Sequence, residues 1–209
     1  DSGIARIYSP DDGRDLGLTG MVQDAIDLVR DLDLNSESRF ADLDGVRCED
    51  HAGVSKLLTY AENFDSNLPL SDFVADATCP VIGLTGTGGA GKSSLTDELV
   101  LRILRDNPET RIALLATDPT RKRTGGALLG DRIRMNSLRK KGIFMRSFAS
   151  RDSGRELSNA IERSIEVCKS VGFDILIVET SGIGQGDDAI TEIADVSLYV
   201  TTREYGAPS

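Results

Sequence analysis

Between positions 86 and 93 the chain reads Gly86-Thr87-Gly88-Gly89-Ala90-Gly91-Lys92-Ser93. A glycine, four residues, then Gly-Lys-Ser is a spacing with a chemical rationale. Glycines let successive amides turn inward with no Cβ in the way, so N–H groups converge into a concave nest for anionic oxygens. A helix opening at Lys92 adds the positive end of its dipole beneath that nest. The lysine ammonium is then placed for the β- and γ-phosphates of a nucleoside triphosphate, and the Ser93 hydroxyl for its Mg²⁺. Such a loop requires a strand before it and a helix after it. The apolar run Val81-Ile82-Gly83-Leu84 and the helical stretch from Lys92 supply both. The competing reading is an ordinary glycine-rich turn, against which the Lys-Ser pair and both flanks count.

Three acids stand where a magnesium triphosphate would need hard oxygen ligands, some acting through water. Asp118 lies just past the run Ile112 to Ala116 and precedes Pro119. Asp131 follows the glycine-containing loop Thr124-Gly125-Gly126, and Glu179 closes the run Ile175-Leu176-Ile177-Val178. Each has a plainer alternative: a helix or turn cap for Asp118, a solvated acid for Asp131 and Glu179. Gly182, after Glu179-Thr180-Ser181, falls where a γ-phosphate would be met, and Gln185 is a candidate for aligning water by its place alone. The cations Arg121, Lys122, Arg123, Arg132 and Arg134 either neutralise phosphate or decorate a solvated loop, and only Arg134 is favoured for a nucleotide role. The single histidine, His51, sits in Glu49-Asp50-His51-Ala52-Gly53-Val54. That is not the cobalamin-ligating Asp-x-His-x-x-Gly, so His51 is read as a surface residue.

The elements that must position these residues follow from periodicity. Strand signals fall at 80–85, 111–116, 143–149, 174–179 and 196–201, and helix signals at 92–105, 126–140 and 154–170. Strands apolar on both faces, alternating with helices, imply a doubly wound α/β domain with a mostly parallel sheet over 80–209, binding its ligand beyond the carboxyl ends of the strands. Ahead of it, residues 1–33 read as one strand (Ile4 to Tyr8) and one helix opening at Ser9-Pro10-Asp11-Asp12, too little to fold alone. Residues 34–79 are polar and acidic, with weak helical periodicity near 53–63, and read as a linker.

Composition narrows the class. The formal net charge is −10, which argues against nonspecific nucleic-acid or anionic-membrane partners. Three widely spaced cysteines, Cys48, Cys79 and Cys168, fit a reducing cytoplasm better than a disulfide frame or zinc site. No apolar run approaches a membrane span of about 18 residues, and Asp1-Ser2-Gly3 does not open a signal peptide. The absent initiator Met and the ending at Pro208-Ser209 are read as marking a piece of a longer polypeptide.

Three motifs together carry a resemblance to a known family. Asp118-Pro119-Thr120, then Thr124-Gly125-Gly126-Ala127-Leu128-Leu129-Gly130-Asp131-Arg132-Ile133-Arg134-Met135, then Glu179-Thr180-Ser181-Gly182-Ile183-Gly184-Gln185 resemble the G-protein chaperones of adenosylcobalamin-dependent acyl-CoA mutases. Free-standing members usually carry serines after Asp-Pro. Thr120-Arg121-Lys122-Arg123 is more similar to the version built into fused isobutyryl-CoA mutases. Ala5-Arg6-Ile7-Tyr8-Ser9-Pro10-Asp11-Asp12-Gly13-Arg14, with Gly20-Met21, resembles the end of their cobalamin-binding domain.

The resemblance implies a P-loop GTPase domain, incomplete at its C-terminal end, with GTP and GDP as nucleotides. It implies that Gly89, Ala90, Gly91, Lys92, Ser93 and Ser94 bind phosphates, that Arg134 contacts the nucleotide, and that Ser93, Asp118, Asp131, Glu179 and Thr180 hold Mg²⁺. GTP hydrolysis would gate cofactor loading and protection. The partners would be the cobalamin-binding and acyl-CoA-binding domains of the same polypeptide, in a homodimer that uses adenosylcobalamin, not bound by this segment alone, to interconvert isobutyryl-CoA and butyryl-CoA. No Asn-Lys-x-Asp guanine-reading motif occurs here, so guanine rests on the resemblance alone and that motif is expected beyond Ser209.

The expected chemistry is in-line attack of water on the γ-phosphate, with Lys92 as the catalytic cation among the loop amides. The alternatives are a free-standing GTPase chaperone of methylmalonyl-CoA mutase, an ATP-dependent P-loop kinase, and a switch that binds nucleotide without hydrolysing it.

Overall fold

Alternation along the strands sets the two layers of helices. In the strand Ile112–Pro119, Ile112, Leu114 and Ala116 point into one apolar cluster, and Ile143 and Met145 of the strand Ile143–Ser150 join them there. The intervening Phe144 meets the ring of His51, and Arg146 pairs with Glu62, both on the opposite side. A side-chain period of two thus gives these two strands two buried faces, and both must be covered.

The computed structural model describes residues 6–30, 43, 45–63, 78–119, 135–150, 154–180, 190 and 192–202. Asp131, Arg134, Gly182 and Gln185 lie outside the described residues, as does most of the helix expected at 126–140. The side chain of Asp118 is not described. The elements are α1 (Pro10–Arg30), α2 (His51–Asn63), β1 (Val81–Gly86), α3 (Lys92–Asp106), β2 (Ile112–Pro119), a 3-10 turn (Ser137–Arg139), β3 (Ile143–Ser150), α4 (Gly154–Val171), β4 (Ile175–Glu179) and β5 (Val196–Val200).

The five strands form one sheet in the order β3-β2-β4-β1-β5, every pairing parallel. Parallel neighbours require long crossovers. The chain leaves β1 through α3, whose Val100 and Leu104 close the cluster on Leu84, Ile112, Leu114 and Ile177. Helix α4 carries it from β3 to β4 and packs against α2 on the other layer. Leu176, Ile177 and Val178 of the central β4 are at most 1% exposed. Each such aliphatic side chain contributes about 1.5–3 kcal/mol of burial.

Two compact units are distinguished, Asp1–Asp42 and Leu43–Ser209. The second takes in part of the stretch read as a linker. Val54, Leu57, Leu58 and Ala61 of α2 are each no more than 1% exposed, and the Cys48 amide donates to the Val171 carbonyl at 3.0 Å. Arg111 fastens this stretch further, pairing with Asp174 at 2.8 Å and Glu49 at 3.5 Å.

In the first unit, Ser9 and Asp12 cap α1 reciprocally. The Asp12 amide donates to Ser9 Oγ at 3.2 Å and the Ser9 amide to Asp12 Oδ2 at 2.7 Å, a capping box with Asp in the acid position. Gly17, at φ 61°, breaks the helix locally. Residues 6–8 of the expected strand belong to no sheet, and Tyr8 instead donates its hydroxyl to Asp24 at 2.9 Å. Ile4 and Ala5 lie outside the described residues.

Three strand ends come out slightly longer than periodicity gave, at Gly86, Pro119 and Ser150. The expected helix at 126–140 ends differently: residues 135–136 are non-helical and only the 3-10 turn Ser137–Arg139 follows. Gly142, at φ 83°, then turns the chain into β3.

Candidate functional site

Because every strand runs the same way, Gly86 of β1, Asp118 of β2 and Glu179 of β4 reach one rim of the sheet. Register makes this explicit: Leu84 lies opposite Glu179, and Glu179 lies opposite Ala116, two residues before Asp118. The glycine loop begins on that rim.

Gly86 pairs with Val200 of β5 at φ 138°, and a Cβ there would overlap the Val200 carbonyl. Only glycine lets the loop leave the strand at this point. Gly89 and Gly91 also take positive φ, 80° and 92°. Ala90 donates its amide back to the Thr87 carbonyl at 3.1 Å, closing a turn.

Gly91 caps α3 in the left-handed conformation with no side-chain cap, and the first turn holds no acid. The first helical hydrogen bond comes from Leu95 to the Gly91 carbonyl, at 2.9 Å. The amides of residues 92–94 therefore have no partner within the helix, and the helix places no acid of its own in the first turn. A helix end of this kind can receive an anion.

Lys92 is 7% exposed and curls over the loop, donating Nζ to the Gly86 carbonyl at 2.9 Å and the Thr87 carbonyl at 3.2 Å. Two neutral carbonyls hold the ammonium without neutralising it. Its positive charge sits against the start of the loop, at Gly86 and Thr87.

Glu179, partly buried, joins the loop helix to β4. Ser93 donates Oγ to its Oε1 at 2.6 Å, and Thr96 lies 3.1 Å from its Oε2. Thr96 has one hydroxyl proton, and the Lys92 carbonyl is equally near at 3.1 Å, so the Ser93 contact is the stronger one. With its proton given to Glu179, Ser93 Oγ keeps its lone pairs. A serine hydroxyl and a carboxylate beside an anion nest are the hard-oxygen donors that suit Mg²⁺. Among the described residues no group of three or more His, Cys, Asp or Glu that could hold a metal ion gathers, and of the acids named from the sequence Glu179 is the one whose side chain is described.

Thr180 is 4% exposed, its amide bonded to the Leu84 carbonyl at 2.9 Å and its hydroxyl to Thr85 Oγ1 at 3.1 Å. These contacts lock β4 to β1 at the height of the loop. Ser94 follows in the first turn of α3. Thus the structure brings Gly89 to Ser94, Glu179 and Thr180 to one rim, and adds the backbone of Asp118. Thr96 was not among the sequence candidates. Its signal was spacing, three residues past Ser93 and so on the same helix face. His51 is exposed, its ring 5.5 Å from that of Phe144 and away from this rim.

Residues 55–208 match the family described as methylmalonyl Co-A mutase-associated GTPase MeaB. The chain is 49% identical over 219 aligned residues to the fused isobutyryl-CoA mutase of Geobacillus kaustophilus, covering 99% of this chain and 20% of that protein. Against GTPase ArgK of Escherichia coli the identity is 33%, over 74% of this chain and 49% of the relative. The chain thus spans about a fifth of the fused relatives it matches. A crystal structure of an LAO/AO transport system kinase superimposes with a TM-score of 0.55 at 22% identity, covering 80% of this chain and 51% of that one. That likeness supports the fold.

Proposed function

We infer that the chain, which belongs to the methylmalonyl-CoA mutase-associated GTPase MeaB family, binds and hydrolyses GTP in a Mg²⁺-dependent manner. The observation that carries this is local: an uncapped helix N-terminus, a buried Lys92 over the glycine loop, and the Ser93–Glu179 contact beside it. An anion with the charge density of a triphosphate is the ligand such a set recognises.

In this reading the loop of residues 89–94, chiefly its amides other than that of Ala90, receives the β- and γ-phosphate oxygens, and Lys92 lies against the developing charge of the transferred group. The two carbonyls that hold Lys92 fix the ammonium before the nucleotide arrives, so little reorganisation accompanies binding. Ser93 and Glu179 would hold Mg²⁺, with Asp118, Asp131 and Thr180 as the remaining candidates and Arg134 as a nucleotide contact. Bound there, the ion would neutralise phosphate charge. Glu179 orients Ser93 through their 2.6 Å hydrogen bond.

The relatives named fused isobutyryl-CoA mutase give this domain its setting. The whole protein is read as an adenosylcobalamin-dependent mutase interconverting isobutyryl-CoA and butyryl-CoA. Nucleotide turnover in this domain would gate cofactor loading and protection.

The test is a competition of GTP against ATP on the full-length protein, followed by single-turnover phosphate release with and without the cobalamin- and acyl-CoA-binding domains. Preference for GTP and release of one phosphate per bound nucleotide are expected. Preference for ATP would point to phosphoryl transfer, and tight GTP binding without release to a switch that does not hydrolyse.

A further inference from the structure

We propose that Asp97 is a positioning residue of the nucleotide site, clasping the chain at Asn136 and Ser137 to the helix that carries Ser93. The proposal rests on the GTPase reading above. Its geometry is independent of it.

Asp97 sits on α3, four residues after Ser93 and one after Thr96, so the three share a helix face. Two of them reach Glu179. Asp97 reaches the other way: its Oδ1 accepts the Ser137 amide at 2.7 Å, and its Oδ2 accepts the Asn136 amide at 3.0 Å and the Asn136 side-chain amide at 3.3 Å. Asn136 opens the 3-10 turn without a side-chain cap of its own. A carboxylate from a helix forty residues away supplies it.

The clasped segment lies beside the site. Met135, immediately before Asn136, is 5% exposed and belongs to the cluster of Leu84, Val100 and Ile177. It shares a small cavity with Thr96 and Glu179. Ser137 is fully buried, so its amide has no water to turn to if Asp97 is removed, and an unsatisfied buried donor is costly. Asp97 itself favours the anion. Partial burial pushes its carboxyl up, but the bonds from Ser137 and Asn136 outweigh that and hold it below the ordinary range. The clasp is therefore charge-assisted at neutral pH.

One helix thus holds two sides of the site, Glu179 through Ser93 and Thr96, and the chain at Asn136 and Ser137 through Asp97. Loosening Asp97 leaves the phosphate nest intact but frees the second side from the first. Displacements near 1 Å cost up to about a hundredfold in rate when the groups concerned align a reaction. The expected signature is a loss in turnover with little loss in product affinity.

The experiment compares wild type, Asp97→Ala and Asp97→Asn in steady-state GTP hydrolysis and GDP binding at 25 °C, with hydrogen exchange at the Asn136 and Ser137 amides. Asp97→Ala is expected to lower kcat by about tenfold or more while GDP affinity stays within about threefold of wild type. Asp97→Asn, which keeps one acceptor oxygen, should fall between, and both variants should exchange faster at the two amides. A purely structural cap would lower the melting temperature and leave kcat at 25 °C unchanged, and that result overturns the proposal. Should Asp97→Ala not fold, Asp97→Asn carries the test, and an unchanged kcat there overturns it equally. Wild type that binds no GTP would overturn the parent reading, an outcome seen without any variant.

Discussion

Removing the Ser93–Glu179 contact measures the join between the glycine loop and the sheet without any nucleotide present. The bond is short, 2.6 Å, and its acceptor is a partly buried carboxylate. Hydrogen bonds to charged groups contribute about 1.5–3 kcal/mol. Partial exposure of Glu179 favours the lower part of that range, about 1.5 kcal/mol, close to a factor of ten in the folding equilibrium. Ser93→Ala, Glu179→Ala and the double variant form a cycle read by urea unfolding in the absence of Mg²⁺ and nucleotide. The two single losses should exceed the double loss by about 1.5 kcal/mol. Thr96→Val in place of Ser93→Ala should give a smaller coupling, because the Thr96 proton is shared with the Lys92 carbonyl. Additivity of Ser93 and Glu179 within about 0.5 kcal/mol would mean the two side chains do not interact, and the geometry argued for the site would be wrong.

At the opposite end of the sheet, the Arg111 guanidinium beside Asp174 lowers the Asp174 carboxyl below its ordinary value of 3.8, against some burial. A folded-state pKa that is depressed adds stability above the unfolded value, which is lost as pH falls through the folded one. Urea midpoints should therefore drop below about pH 4 more steeply in wild type than in Asp174→Asn, and parallel curves would contradict this. The three cysteines are free and buried, and burial pushes the Cys168 thiol strongly upward. A thiol-specific disulfide reagent at pH 8 should titrate none of them rapidly in the folded chain and all three in urea. Rapid native labelling of Cys168 would show that the α4 packing is open.

The sheet was readable because its central strand is apolar on both faces. Ile175 to Val178 has no polar side, which only a strand covered by two helix layers tolerates. The loop was readable for a different reason, since glycines and a lysine at that spacing have few other uses. What escaped was contact between segments distant in sequence. Asp97 looks like any exposed helical acid, and nothing in its neighbours names Asn136 as its partner. Thr96 looked like an ordinary helical threonine although its spacing from Ser93 was informative. Helix α2 was nearly hidden: Val54, Leu57, Leu58 and Ala61 keep perfect helical spacing, but the acidic surroundings pulled the segment's average toward a connector. The 3-10 turn at Ser137–Arg139 differs from the expected helix end because Asp97 and Gly142 bound it from both sides.

The most direct measurement is equilibrium binding of GTP, with and without Mg²⁺, to wild type and to Lys92→Ala. Wild type should bind GTP more tightly with Mg²⁺, and Lys92→Ala should lose at least about a hundredfold in affinity, near 2.8 kcal/mol, while keeping its fold. Undiminished binding by Lys92→Ala, or affinity indifferent to Mg²⁺, would contradict a phosphate nest built around that lysine.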